Sequence, residues 1–146
     1  KFDMIICMSN SIRHMLGKDE VIQAFNSMYE RLNEDGILII DNGLSDKLIN
    51  EKPKVLPGRI YKNQAFYFIL EYPNEQEIVF NILNVKKTKD SFDHSSETIR
   101  LNSMKKKDFK KCFLKTNFKS INYFGDFSFT PFSPEKSKRM IAIAKK

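Results

Sequence analysis

Four apolar residues, Met4-Ile5-Ile6-Cys7, run without a polar interruption and give way to Ser9-Asn10-Ser11. The run has strand length, is partly β-branched and does not alternate. Such a run is expected as a strand buried on both faces, inside a parallel sheet. Ligands of open α/β sheets lie outside the carboxyl ends of the strands, so Met8–His14 is where chemistry is expected. A second apolar run, Ile37–Ile40, ends in Asp41-Asn42-Gly43. Between the two, Val21, Ile22, Phe25, Met28, Tyr29 and Leu32 fall on one face at helical period. Asp19 and Glu20 suit the helix start. Asn33-Glu34-Asp35-Gly36 is expected to end it, with Gly36 taking a positive φ. Strand, helix and strand in about forty residues make a βαβ unit with parallel strands and a right-handed crossover. Both strands then end at one edge, and Met8–Ser11 and Asp41–Gly43 flank one crevice.

The pattern changes downstream. Leu44–Asn50 can form a short helix, and residues 51–58, with Pro53 and Pro57, read as a loop. Arg59–Tyr72, Glu77–Lys86 and Glu97–Ser103 read as three strands joined by turns. They make an antiparallel meander, which we take as an insertion in, or lid on, the parallel sheet over residues 58–103. Pro73-Asn74-Glu75 is read as the first turn, and His94 as a surface residue of a polar loop. A helix over Met104–Thr116 follows, with Ser103 as its cap. Phe118–Phe124 and Arg139–Ala144 read as a final antiparallel pair.

Charge and cysteine content narrow the class. The 146 residues carry a net +7. Residues 1–50 hold 5 Lys/Arg against 8 Asp/Glu, net −3, and residues 51–146 hold 20 against 10, net +10. The basic excess is therefore not on the segment with the proposed crevice. It is compatible with phosphate-bearing partners or with an ordinary solvated surface. Lys105-Lys106-Lys107 and Lys110-Lys111 lack interleaved aromatics, so a nucleic-acid partner is not expected. Cys7 and Cys112 are too few for a disulfide framework or a zinc site, no metal site is expected, and a reducing cytoplasm is the expected compartment. No apolar run approaches bilayer length, and no membrane association is expected. A buried parallel strand preceded only by Lys1 needs neighbours on both sides. The expectation is that these residues form the C-terminal part of something larger, or that another chain supplies the rest.

The order of pieces is similar to the C-terminal half of a class I S-adenosylmethionine-dependent methyltransferase. Phe2-Asp3 before the apolar run, then Cys7-Met8-Ser9-Asn10-Ser11 and His14, resembles the fourth-strand motif of the glycine N-methyltransferase group. Ile39-Ile40-Asp41-Asn42 resembles the end of its fifth strand. Tyr123-Phe124-Gly125-Asp126-Phe127 with Pro131-Phe132 resembles its sixth-strand tail and the loop that follows. Met140–Lys146 fits its closing strand. The resemblance implies an α/β, partial Rossmann-like sheet supplying strands 4, 5, 7 and 6 of the order 3-2-1-4-5-7-6, with strand 7 reversed. Strands 1 to 3, the glycine-rich loop and the acidic residue that holds the ribose are absent from these residues.

The resemblance also implies roles. Met8, Ser9, Asn10, Ser11 and His14 would line the S-adenosylmethionine site, and Asn10 would touch the substrate. Asp41 and Asn42 would wall the substrate pocket. From charge alone, Arg59 is a candidate for a substrate carboxylate. Each has a plainer reading. Ser9-Asn10-Ser11 and Asp41-Asn42-Gly43 make good turns, and His14 can be a loop residue. Gly43 stands where the glycine N-methyltransferase group has an arginine, and no tyrosine lies near Asn102-Ser103. Methyl transfer to a small-molecule acceptor, an amine other than glycine, is the expected function. A non-catalytic remnant or partner subunit completed by another chain, and a nucleic-acid-modifying enzyme, are the alternatives.

Overall fold

The first apolar run forms β1 (Phe2–Cys7) in the computed structural model, which describes residues 1–146. A 3-10 turn over Ser11–His14 leads to α1 (Lys18–Arg31) and then β2 (Leu32–Asn42). β1 and β2 are parallel, with Met4 opposite Ile37 and Cys7 opposite Ile40. α1 buries Val21 and Phe25, as its periodicity predicts. The Glu20 carboxylate accepts from the Gly17 N–H at 3.0 Å and closes the first turn. The residue with positive φ after α1 is Asp35, at 61°, and not Gly36. Gly36 is required for a different reason: a Cβ there would lie 2.9 Å from the Asn33 carbonyl.

After β2 come α2 (Asp46–Glu51), the short β3 (Val55–Leu56) and β4 (Ile60–Tyr61), and the long β5 (Gln64–Asn74), β6 (Glu77–Lys87) and β7 (Phe92–Asn102). The chain closes with α3 (Lys106–Phe113), β8 (Ser120–Phe124) and β9 (Met140–Lys145). Residues 1–51 and 102–146 form one compact unit, and residues 52–101 a second.

The first unit holds a four-stranded sheet in the order β1-β2-β9-β8. β9 runs antiparallel to both neighbours. β8 is thus parallel to β1 and β2, and β9 alone is reversed, the arrangement expected from the resemblance. One sheet face packs on the helices. Leu38, Ile40, Met140, Ala142 and Ala144 meet Val21, Phe25, Phe109 and Phe113 there. The Phe25 and Phe113 rings stack with centroids 4.0 Å apart, and Phe118 meets Phe113 edge-on.

β1 departs from the expectation of burial on both faces. Ile5 and Cys7 pack against the core, but Phe2, Met4 and Ile6 are 58%, 47% and 55% exposed. β1 is the end strand of its sheet, with one edge unpaired, and no element covers these alternate side chains.

The second unit is an antiparallel sheet in the order β3-β5-β6-β7, with β4 beside β5. Phe68 and Phe80 are close on one of its faces, centroids 5.3 Å apart. β5 continues through Pro73 to Asn74, past the expected turn, with a register shift between Glu71 and Asn74. The proline sits in the irregularity, where no ladder donor is needed. β7 starts at Phe92, five residues before the expected start, so the exposed His94 lies in a strand and not a loop. α3 starts after Lys105, whose N–H donates to Asp108 Oδ2 at 3.2 Å, and Ser103 is not its cap. No helix is long and apolar enough to cross a membrane.

Candidate functional site

The parallel pairing brings the ends of β1 and β2 together, and their loops are joined by hydrogen bonds. The Asn10 N–H donates to the Asp41 carbonyl at 3.2 Å. The Ser9 N–H donates to Asp41 Oδ2 at 3.2 Å, and Asn10 Oδ1 accepts from the Leu44 N–H at 3.1 Å. Met8–Ser11 and Asp41–Gly43 are therefore neighbours at one edge of the sheet, as the βαβ reading requires. Ser9 and Asn10 have φ of 54° and 68°. Two successive non-glycine residues in the left-handed region are unusual; asparagine tolerates it, whereas serine is strained there. The Met8 carbonyl accepts from both the Ser11 N–H at 3.1 Å and the Ser11 hydroxyl at 2.7 Å, which locks the turn.

The other expected residues are less alike. His14 ends the 3-10 turn and is exposed. Asp41 is 1% exposed, and Asn42 is fully buried, in phase with Leu38 and Ile40. Both amide atoms of Asn42 lack a hydrogen-bond partner, and so does Asp41 Oδ1. Arg59 lies on an exposed segment of the second unit.

Two arginines that the sequence reading passed over hold these loops in place. Arg13 is 1% exposed. Its Nη1 donates to the carbonyls of Asn102 at 2.9 Å and Met104 at 3.0 Å, and its Nη2 to the Leu44 carbonyl at 2.6 Å. It thus ties the 3-10 turn to the loop after β2 and to the stretch that follows β7. Burial pulls its pKa down to about 9, against the opposing charge of Asp46. Burial also raises the Asp46 pKa, which the Lys106 N–H and the Arg13 charge oppose. Asp46 Oδ1 accepts from that N–H at 2.8 Å, at the start of α3.

Arg139 is the second. β9 runs opposite to β2, and Asn42 pairs with Met140, so Arg139 emerges at the carboxyl edge of β2. Its Nε lies 3.3 Å from Asp41 Oδ1. That contact has ion-pair distance without hydrogen-bond geometry, so Asp41 Oδ1 is held by charge alone. The guanidinium also sits over the Phe127 ring, 4.6 Å from its centroid. No local pattern marks either arginine. Their hydrogen-bond and ion-pair partners lie 31 to 98 residues away in sequence, and only the pairing of β9 with β2 would have pointed to Arg139.

No protein-family model matches the chain. It is 25% identical over 147 residues to a glycine/sarcosine N-methyltransferase from Aphanothece halophytica, a match covering all of this chain and 52% of that protein. The chain thus spans about half the length of the curated relative it matches. An S-adenosylmethionine-dependent methyltransferase from Clostridium acetobutylicum superposes with a TM-score of 0.80 at 16% identity, over 99% of this chain and 58% of that one. An amino pentose methyltransferase from Micromonospora echinaspora, solved with S-adenosylmethionine bound, gives 0.74 at 12% identity, over 99% and 58%. The chain carries the fold of the C-terminal part of a class I S-adenosylmethionine-dependent methyltransferase and resembles the glycine/sarcosine N-methyltransferases in sequence.

Proposed function

We propose that this chain is the substrate-side half of a class I S-adenosylmethionine-dependent methyltransferase acting on a small-molecule amine. The sheet carries the reading. The order β1-β2-β9-β8 with β9 alone reversed is one half of the methyltransferase sheet, and the likeness to such enzymes runs the length of the chain. Strands 1 to 3 and the glycine-rich loop come from a preceding segment or from a second chain. The exposed row Phe2, Met4 and Ile6 and the unpaired edge of β1 support this, because an apolar edge strand is a surface built to be covered.

The residues present fit one wall of a cofactor site. Met8 is partly exposed beside Ile6 and offers an apolar surface. The buried Asp41 carboxylate holds the Ser9 N–H and the Arg139 guanidinium, and so fixes the turn that follows β1 against the end of β2. Met8, Ser9, Asn10, Ser11 and His14 would hold S-adenosylmethionine, which supplies an electrophilic methyl group on a positively charged sulfur. The chain's own residues position the acceptor and keep water out, since in-line methyl transfer asks mainly for alignment. Asn10 and Asp41 face the acceptor, with Asn42 behind them. Arg59 is a candidate for the acceptor from its charge alone.

Titration calorimetry with S-adenosylhomocysteine tests this reading on the chain joined to a strand 1–3 half. One saturable site per complex is the expected result. No binding by the completed protein would refute it. A partner-subunit role without catalysis is the second reading, favoured by the same bare edge of β1. It predicts association with the other half but no methylated amine by mass spectrometry.

A further inference from the structure

We propose that Arg13 is a positioning residue, which through the Leu44 peptide fixes the Asn10 side chain so that its Nδ2 alone is left to a ligand. That a ligand meets Asn10 rests on the methyl-transfer reading; the hold on Asn10 rests on geometry. Three residues close a circuit of hydrogen bonds. Asn10 Oδ1 accepts from the Leu44 N–H at 3.1 Å. The Leu44 carbonyl accepts from Arg13 Nη2 at 2.6 Å. The Arg13 N–H donates back to the Asn10 carbonyl at 2.8 Å. The Asn10 N–H goes to the Asp41 carbonyl at 3.2 Å, so the fold uses both backbone groups of Asn10 and its side-chain oxygen. Nδ2 remains, and it can only donate.

The backbone shows why such a hold is needed. Ser9 and Asn10 follow one another at φ of 54° and 68°. Residues in sparsely populated regions persist only where their surroundings over-determine them. The Arg13 guanidinium is suited to that task because it is itself anchored. Its Nη1 serves the carbonyls of Asn102 and Met104 at 2.9 and 3.0 Å, and the Phe109 ring centroid lies 5.4 Å from its Cζ. The planar fork therefore meets the Leu44 carbonyl with little freedom left to lose. Arg13 is 1% exposed, so it reaches no ligand directly and acts through Asn10. Every residue in the circuit belongs to the first unit.

Nuclear magnetic resonance on the whole chain reads the circuit. In the wild type, relaxation of Asn10 Nδ2 should match that of rigid backbone, and free motion of that amide would overturn the proposal whatever any variant does. In Arg13→Met the Leu44 N–H should exchange about tenfold faster or more, measured against the amides of Leu38–Ile40 in β2 so that general loss of stability cancels. An unchanged ratio would also overturn it. S-adenosylhomocysteine then probes the chain joined to a strand 1–3 half. Arg13→Met should weaken the analogue about tenfold, but by less than about twofold in an Asn10→Gly background, since glycine keeps the backbone conformation and lacks the amide through which Arg13 acts. Arg13→Lys, with one donor head for three carbonyls, falls between and replaces Arg13→Met should that variant not fold. An arginine that only supports the fold would weaken binding equally in both backgrounds, which would refute the positioning role. A completed wild-type protein that binds no analogue refutes the methyl-transfer reading instead, and Leu44 exchange and Asn10 relaxation still decide the circuit.

Discussion

Replacing Arg13 by Met keeps most of the volume and removes every charged donor at the junction of three loops. In the folded protein Arg13 Nη1 and Nη2 serve three carbonyls, those of Asn102, Met104 and Leu44, at 2.9, 3.0 and 2.6 Å. A weaker contact reaches Asn102 Oδ1 at 3.4 Å. Hydrogen bonds to charged groups are worth about 1.5–3 kcal/mol each, and a buried acceptor stripped of its donor keeps its desolvation cost. Relief of the buried guanidinium's own desolvation offsets part of the loss. The net expected is destabilisation by about 3–5 kcal/mol, the usual cost of breaking a buried charged network from one side. For a chain of this length that is on the order of 10 °C in Tm. Arg13→Lys keeps the charge but cannot span three acceptors, so it is expected at about half that loss. Urea unfolding followed by circular dichroism gives both values. If Arg13→Met unfolds within about 1 kcal/mol of wild type, the network does not hold the loops together and the reasoning fails.

Three further outcomes follow from the packing. Phe25→Ala removes a fully buried ring stacked on Phe113 and should cost about 3–5 kcal/mol in chemical denaturation. Ile6→Lys, on the exposed side of β1, should change the stability of the chain by less than about 0.5 kcal/mol, yet abolish association with a strand 1–3 half in sedimentation. Burial raises the Asp108 carboxyl pKa, but the Lys105 N–H and the Lys18 ammonium outweigh it and hold the group below its usual value. A carboxyl depressed on folding stabilises above its unfolded pKa of about 3.9 and loses that contribution as pH falls through the folded value. Asp108→Asn should therefore cost about 1 kcal/mol at neutral pH, discounted for the exposure of Lys18, and nothing once both states are protonated. Urea midpoints between pH 7 and pH 2 would show the gap close, and a gap that persists in acid would contradict the assignment.

What could be read from the chain alone was local or periodic. The apolar runs at Met4–Cys7 and Ile37–Ile40, and the helical stripe through Val21 and Phe25, specify their elements by themselves. They also force the two strand ends to one edge, which places Met8–Ser11 beside Asp41–Gly43. The position of β9 between β2 and β8 was available only through resemblance, since nothing in Met140–Lys145 names its neighbours. Where the reading missed, the determining partner was remote. Arg13 reads as a charge after a polar turn, and only the return of the chain at Asn102 buries it. Arg139 reads as a surface residue until β9 pairs with β2. The start of β7 was missed because Asp93-His94-Ser95-Ser96 is polar on both sides, so no alternation marks it as strand. Gly36 reads as a left-handed helix terminator from its place after Asn33-Glu34-Asp35, but Asp35 takes that conformation and Gly36 serves a close approach to the Asn33 carbonyl.

The proposed function makes β1 an interior strand of a larger sheet. Amide hydrogen exchange over Met4–Met8 tests it directly, on the chain alone and joined to a strand 1–3 half. In a parallel pair, alternate amides point away from the partner strand. On the chain alone those outward amides should exchange at nearly unprotected rates, because nothing pairs with that edge of β1. On joining they should slow by about a hundredfold or more, as expected for strands closed into a core. Outward amides that exchange at the same rate in both states would show that the edge of β1 takes no partner, and would contradict the account.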